Sequence, residues 1–266
     1  MMDNMTDTVK QLLIINVLFF IGSYFVPQAN ELLSLHYFES DGFKFWQPIS
    51  HMFMHGSPMH IFFNMFALIS FGSALEHFWG AKKFLFFYLS CGIGAALIHS
   101  GVNYYEIHSL LNELQNTSIS KTDIHTILNT DFSSGNQYLG KLLYENAAAT
   151  FDKINVDESD FELLFNAAVK NQSSAVGASG AIYGLLVAFA FMFPNAELGF
   201  MFIPVPVKAK YFVPVIVLLD LFSGVTGYSI FGGNIAHFAH VGGALIGFIM
   251  MWYWKKTQFD KNRWHR

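Results

Sequence analysis

Polar side chains with the chemistry of a nucleophile and a base lie in apolar parts of this chain. Ser179 precedes the uncharged run 181–193, and His60, Asn64 and His240 lie in two other apolar segments. A hydroxyl moved into hydrocarbon is costly unless it finds a hydrogen-bond partner. Ionisable and polar groups inside a bilayer usually have a function. These residue types therefore predict a serine nucleophile that works below the membrane surface.

Ser179 is predicted to stand at the start of a helix, within the sequence Gly-Ala-Ser-Gly at 177–180. The first turn of a helix has unpaired backbone N–H groups and the positive end of the helix dipole. Donors of this kind can stabilise a developing oxyanion. Taken alone, the short motif favours a capping or helix-packing serine.

His60 and Asn64 are four residues apart, so a helix places both on one face. Both side chains carry N–H groups that can donate hydrogen bonds. We expect them to supplement an oxyanion site for Ser179. The alternative for either side chain is a packing role within the helix.

His240 lies in an uncharged segment and is predicted to act as the general base for Ser179. Small residues at a spacing of four follow both residues and would let two helices approach closely. They are Gly180 and Gly184 after the serine, and Gly243 and Gly247 after the histidine. Tyr183, one turn after Ser179, is expected to pack against the imidazole. Such glycine patterns also occur in helix pairs without chemistry.

Other polar residues near these motifs allow two further interpretations. His237 and His240 could be metal ligands together with His51 and His55, but metal sites need three or four ligands and a supporting second shell. The serine–histidine interpretation accounts for His240, so neither a metal nor another cofactor is expected. Asp220, near the outer end of a helix, could be a third member of a triad, but a solvated helix-end carboxylate is the preferred interpretation.

The composition is that of a polytopic membrane protein. Hydrophobic residues make up 53% of the 266 residues and charged residues 13%, about half the charged fraction of a soluble domain. The single cysteine, Cys91, excludes an intramolecular disulfide framework. No cleavable signal peptide is evident at the N-terminus, so the first apolar segment is expected to stay as an anchor.

Six apolar segments are predicted to span the membrane. They are approximately 11–26, 58–78, 84–102, 178–193, 211–223 and 235–254. Residues 103–172 hold ten acidic residues against four lysines and are too polar to span. We predict that they form a partly helical insertion on the extracytoplasmic side. This insertion is either tolerated without a role, or it gates Ser179 or recognises substrates.

The distribution of basic residues predicts the orientation. Ten of the fifteen flank one side of the six-helix arrangement: Lys10, Lys82, Lys83, Lys208, Lys210, Lys255, Lys256, Lys261, Arg263 and Arg266. Basic residues favour the cytoplasmic side. Both termini are thus expected to be cytoplasmic, with Ser179 opening toward the extracytoplasmic face. A bacterial plasma membrane is the expected location.

Three motifs, in the order in which they occur along the chain, resemble the rhomboid family of intramembrane serine proteases. They are His60-xxx-Asn64, Gly177-Ala178-Ser179-Gly180 with Tyr183, and Ala239-His240-xx-Gly243. The resemblance extends over all six predicted helices in the family's order. It also includes Glu76 and Gly80, which match a Glu-xxx-Gly signature that we interpret as structural.

The resemblance implies a role for each matching residue. Ser179 would be the nucleophile and His240 the base, in a dyad without an acid. His60, Asn64 and the backbone N–H of Ser179 would stabilise the oxyanion. Tyr183, Gly177, Gly180 and Gly243 would support this arrangement.

We therefore expect one all-α membrane domain over residues 1–266, a six-helix rhomboid-like bundle with an extracytoplasmic insertion. The expected activity is that of a serine endopeptidase that cleaves transmembrane or membrane-proximal segments of proteins in the bilayer. Nucleic acid is not an expected partner. One alternative is an inactive relative that binds membrane clients, which would lack the serine or the histidine. A transporter with intramembrane histidines is a further alternative, but its ionisable residues would run through the bilayer.

Overall fold

A computed structural model describes residues 5–115, 119–135, 137–200, 203–228 and 235–261. The helices are α1 (Asp7–Phe25), α2 (Gln28–Leu33), α3 (Gln47–Ser50), α4 (Pro58–Ala67), α5 (Ser73–Trp79), α6 (Ala81–Asn112), α7 (Lys121–Asn129), α8 (Gly140–Asn146), α9 (Ala148–Ile154), α10 (Glu158–Gln172), α11 (Ser179–Met192), α12 (Ala209–Thr226) and α13 (His237–Lys261). Two antiparallel hairpins pair β1 (Ser133–Ser134) with β2 (Gln137–Tyr138), and β3 (Glu197–Phe200) with β4 (Ile203–Lys208).

The prediction of a polytopic helical membrane protein is confirmed. Within the described residues, four helical stretches are long and apolar enough to cross a membrane: Asp7–Phe25, Pro58–Trp79, Ala81–Asn112 and Ala209–Thr226. Ser179–Met192 is a shorter apolar helix. Large apolar side chains remain exposed along α1 and α12, among them Leu18 and Leu218. Such exposure is expected where lipid is the solvent.

Several element bounds differ from the predicted ones. Helix α6 continues to Asn112, about ten residues into the segment predicted as insertion, and α12 continues to Thr226. The β3–β4 hairpin lies between the fourth and fifth apolar helices, where no strand was predicted. Arg263 and Arg266, which contribute to the predicted charge asymmetry, lie outside the described residues.

The described residues form two compact units. The first comprises those within 1–34, 48–99 and 176–266, and it contains every side chain of the predicted site. Its buried core includes Met52, Phe84, Phe87, Tyr88 and Leu185.

The second unit comprises described residues within 35–47 and 100–175. It has its own core, which includes Tyr37, Phe132, Leu143 and Leu164. The sequence predicted an insertion of residues 103–172 alone, whereas 35–47 also belongs to this unit. An isolated antiparallel bridge joins Leu35 to Ala175, with both N···O distances at 2.9 Å.

An ion pair joins two helices of the second unit. The Lys153 ammonium on α9 donates to both carboxylate oxygens of Asp123 on α7, at 2.8 and 2.9 Å. These hydrogen bonds hold the pKa of Asp123 below its ordinary value. The charged carboxylate therefore contributes stability that is lost as the pH falls through the lowered pKa.

The second apolar span begins with a well-formed cap. The Ser57 hydroxyl accepts a hydrogen bond from the backbone N–H of His60 at 3.1 Å, and Pro58 occupies the first turn. A π-helical segment, Leu68–Gly72, joins α4 to α5. The helix ends at Gly80, whose φ of 76° suits glycine because it has no Cβ.

Within the first unit, the Glu76 side chain on α5 forms hydrogen bonds to the start of α1. Its carboxylate accepts hydrogen bonds from the backbone N–H groups of Thr8 and Val9, at 3.1 and 3.0 Å, and from the hydroxyl of Thr6. Thr6, the N-cap residue, makes no side-chain cap of its own. Glu76 therefore satisfies donors in the first turn of α1 that would otherwise lack partners.

We predict that Glu76→Ala lowers the free energy of unfolding by about 1–3 kcal/mol, because it leaves buried donors unpaired. Thermal unfolding of the purified protein in detergent, followed by tryptophan fluorescence, measures the effect. Glu31→Ala removes an exposed glutamate from α2 and is the matched control. Equal melting temperatures for the two variants would contradict the capping role.

Candidate active site

Ser179 and His240 are in hydrogen-bond contact. The distance from His240 Nε2 to Ser179 Oγ is 2.8 Å. Ser179 is the first residue of α11, and its N-cap residue, Ala178, offers no side-chain acceptor to the first turn. A hydroxyl bonded to an imidazole at the N-terminus of a helix combines a nucleophile, a base and backbone donors.

Close backbone contact between α11 and α13 produces this distance. A Cβ placed on Gly243 would lie 1.8 Å from the carbonyl oxygen of Gly180. A Cβ on Gly247 would lie 2.8 Å from the Cα of Gly184. The two predicted glycine faces thus lie against each other, and no other residue type fits at Gly243 without separating the helices.

Tyr183 packs against His240. Its ring stacks on that of His240, with centroids 4.4 Å apart and planes inclined by 12°. The tyrosine lies one turn after Ser179 on α11, so one helix face supplies both the Ser179 hydroxyl and the ring that stacks on the imidazole.

The interpretation of Asp220 as a solvated carboxylate is wrong. Asp220 is only 1% exposed. It shares the buried face of α12 with Val213, seven residues earlier, and Ser223, three residues later. Because the helix continues to Thr226, Asp220 also lies farther from its end than predicted. An ionisable residue flanked by Leu219 and Leu221 was a signal of function that could have been used.

Three donors converge on the Asp220 carboxylate. Oδ1 lies 2.6 Å from Nδ1 of His237 and 3.1 Å from Nδ1 of His240. Oδ2 accepts a hydrogen bond from the Tyr183 hydroxyl. His237 thus contacts the aspartate. Among the described residues, no three His, Cys, Asp or Glu side chains are grouped to hold a metal ion.

His60 and Asn64 both lie against Gly177, two residues before Ser179. A Cβ on Gly177 would be 2.7 Å from Cε1 and Nε2 of His60 and 3.6 Å from Nδ2 of Asn64. Gly177 has a φ of 125°, which strains any residue with a side chain. Its N–H donates to the carbonyl of His51 at 2.9 Å, which fixes this turn.

The two polar side chains of α4 present N–H groups near Gly177. Asn64 is 6% exposed, and its Nδ2 has no hydrogen-bond partner among the described residues. Nδ1 of His60 accepts from the N–H of Gly56 at 3.5 Å, which leaves the hydrogen on Nε2. A buried donor without a partner is costly. An acceptor supplied by a bound substrate would satisfy it.

His51 and His55 support this region from the preceding loop. The carbonyl of His51 accepts the Gly177 N–H, as described above. The ring of His55 packs edge-on against that of His60, with centroids 5.0 Å apart. Both residues are buried and help to hold the turn and the imidazole of His60 in place.

A family model described as the rhomboid domain matches residues 42–109 and 159–257, which together cover well over half of the chain. The unmatched interval, 110–158, lies within the predicted insertion 103–172.

Three curated proteins that are similar to this chain have names that include the word rhomboid. A mitochondrial rhomboid protein of Schizosaccharomyces pombe, described as uncharacterised, is 25% identical over 221 residues, or 80% of this chain and 52% of the relative. The mitochondrial rhomboid protein 1 of Saccharomyces cerevisiae is 33% identical over 92 residues, or 35% of this chain and 25% of the relative. The rhomboid protease AarA of Providencia stuartii is 43% identical over 60 residues, or 23% and 21%. The matched regions thus span about half, or less, of these relatives.

We predict that Gly243→Ala slows the reaction of Ser179 with a serine-directed fluorophosphonate and lowers the melting temperature. The added methyl group must push α13 away from α11, at a cost of about 1–3 kcal/mol for overpacking. Gly22→Ala is the matched control, because a Cβ there meets no atom within 4 Å. Unchanged reactivity in Gly243→Ala would contradict the role of this contact.

Proposed function

The chain belongs to the rhomboid family, and from that premise we propose that it is a serine endopeptidase that cleaves other proteins within the membrane. The observation that carries this proposal is the 2.8 Å contact between Ser179 Oγ and His240 Nε2 in apolar helices. A hydroxyl hydrogen-bonded to an imidazole is the arrangement that makes serine nucleophilic. The two partners are 61 residues apart in the chain, so only the fold brings them together.

The first step is attack on a peptide carbonyl. Ser179 Oγ forms a bond to the carbonyl carbon while its proton passes to Nε2 of His240. Negative charge develops on the carbonyl oxygen. The N–H groups of His60, Asn64 and the Ser179 backbone are the proposed donors to this oxyanion. The unpaired Nδ2 of Asn64 supports this assignment.

The second step releases the products. The tetrahedral intermediate collapses, the peptide C–N bond breaks, and the His240 imidazolium gives its proton to the leaving amine. The acyl-enzyme that remains is hydrolysed when water attacks the ester carbonyl with the same histidine as base. All of these proton transfers use side chains of the chain itself, and no cofactor takes part.

The substrates are proposed to be transmembrane or membrane-proximal segments of other proteins. A helix in lipid satisfies all its backbone carbonyls internally, which hides them from attack. Helix-destabilising residues near the scissile bond are therefore expected in a substrate. The lipid bilayer is the other partner, since much of the apolar surface of α1 and α12 is exposed.

The comparisons support a membrane protein and do not support the bacterial plasma membrane predicted from the sequence. Of the three relatives described above, two have mitochondrial names and the third is the protease of Providencia stuartii. The orientation with cytoplasmic termini and an extracytoplasmic opening stays a prediction from the charge distribution. An inactive client-binding relative would lack the serine or the histidine, whereas here both are present and in contact.

We predict that Ser179→Ala and His240→Ala each abolish cleavage of a reporter protein with one transmembrane helix. The first removes the nucleophile and the second the base that activates it. The assay uses purified protein in liposomes and separates the fragments on gels.

Ser73→Ala is the matched control for loss of a hydroxyl. The Ser73 hydroxyl is buried, lies on α5, and has no hydrogen-bond partner among the described residues. We expect this variant to cleave at the wild-type rate. Cleavage that survives Ser179→Ala or His240→Ala would overturn the proposed function.

We predict that Asn64→Ala lowers kcat by about 10²-fold, the loss typical of one oxyanion donor, and changes KM much less. Initial rates over a range of reporter concentrations in detergent micelles separate the two constants. Asn16→Ala, which removes a buried amide from α1, is the control. A higher KM with unchanged kcat would assign Asn64 to substrate binding instead.

A further inference from the structure

We infer that Asp220 is a positioning residue that acts through His240, so that the catalytic unit is an Asp–His–Ser triad and not a dyad. The contact that assigns this role is the 3.1 Å separation of Asp220 Oδ1 from His240 Nδ1, on the ring edge opposite Ser179. The inference rests on the proposed function, because positioning matters only if His240 is the base.

The aspartate fixes which nitrogen of His240 carries the hydrogen. A neutral imidazole has one N–H donor and one acceptor nitrogen, and an ionised carboxylate only accepts. Contact with Asp220 therefore places the hydrogen on Nδ1. Nε2 then has its lone pair free to accept the proton of Ser179 Oγ at 2.8 Å. The opposite tautomer would direct a hydrogen at the serine and could not act as a base.

The aspartate also stabilises the charge that develops during the reaction. When His240 takes the proton from Ser179, a positive imidazolium forms in a partly buried site, beside the buried carboxylate of Asp220. An unpaired charge is costly there, whereas a carboxylate 3.1 Å away compensates it. This stabilisation is stronger in the transition state than in the resting enzyme, so it raises kcat.

The carboxylate is itself held by two other donors. His237 Nδ1 lies 2.6 Å from Oδ1, and the Tyr183 hydroxyl donates to Oδ2. With both oxygens engaged, the Asp220 side chain cannot rotate away from His240. Tyr183 helps to position His240 in two ways: its ring stacks on the imidazole, and its hydroxyl donates a hydrogen bond to Asp220. Three helices, α11, α12 and α13, thus converge on one imidazole.

The test compares Asp220→Asn with Ser223→Ala. The asparagine has nearly the same shape but no charge, and its amide group can turn a donor toward His240. Ser223 lies three residues later on the same buried face of α12, and its hydroxyl has no partner among the described residues. Both variants therefore alter the same helix face, and only one alters the contact with the base.

The readouts are fluorophosphonate labelling and reporter cleavage, each expressed per folded molecule from the thermal melt. In labelling, Ser179 Oγ forms a bond to phosphorus, the P–F bond breaks, and His240 accepts the hydroxyl proton. This reaction needs the base but no protein substrate. We expect Asp220→Asn to slow labelling and to lower kcat by about 10²-fold or more, as expected for loss of an effective general base. KM should stay within about twofold because ground-state binding is unaffected. Ser223→Ala should match the wild type in both assays.

A second variant keeps the inference testable if Asp220→Asn does not fold. Tyr183→Phe keeps the stacked ring and removes only the hydroxyl that holds Oδ2. We expect it to slow labelling per folded molecule by a smaller factor than Asp220→Asn would. A purely structural role predicts a lower melting temperature with an unchanged rate per folded molecule.

The outcomes separate the two proposals. Wild-type labelling rates and kcat in Asp220→Asn and Tyr183→Phe, with no labelling of Ser179→Ala, would overturn the triad and leave the proposed function intact. Labelling and cleavage that persist in Ser179→Ala would overturn the proposed function itself. A rate loss in Asp220→Asn with unchanged KM, and none in Ser223→Ala, would support the triad.

Discussion

The backbone contact between α11 and α13 sets the geometry on which the rest of the site depends. Without side chains at Gly180 and Gly243, the two helices approach until the carbonyl of one fills the space of a Cβ on the other. Ser179 and His240 lie at the adjacent ends of this contact. The distance between Ser179 and His240 is therefore set by the contact between two main chains. Such a contact yields less than one made by long, flexible side chains.

Around that contact, polar groups are arranged in two sets on either side of Ser179. His240, Tyr183, His237 and Asp220 satisfy one another through hydrogen bonds and ring stacking. Near Gly177, Asn64 has a buried donor that finds no partner among the described residues. The hydrogen bonds of the first set are formed in the free protein, whereas the Asn64 donor has room for an acceptor from a substrate. This difference fits the proposed roles of a preorganised base and an oxyanion site.

Much of this could be predicted from local spacing. Tyr183 follows Ser179 by one helical turn, and Asn64 follows His60 by one, so the period of the helix alone places each pair on one face. The glycine pairs were also recognisable from their spacing. Asp220 was misjudged because its partners come from two other helices, so its hydrogen bonds could not be predicted from local spacing. Its apolar neighbours Leu219 and Leu221 were the one local signal that it is not solvated. The grouping of Leu35 with Ala175 likewise depends on a pairing between residues 140 positions apart, which no local pattern encodes.

Cys91 lies beneath the same glycine contact and is fully buried, with its sulfur 2.4 Å from where a Cβ of Gly184 would be. It is the chain's single cysteine. These 266 residues are therefore a ready background for site-specific labelling, since a cysteine introduced on the surface would react with a maleimide long before this one. Conversely, the modification rate of Cys91 itself reports how often the packing of α6 against Gly184 of α11 opens.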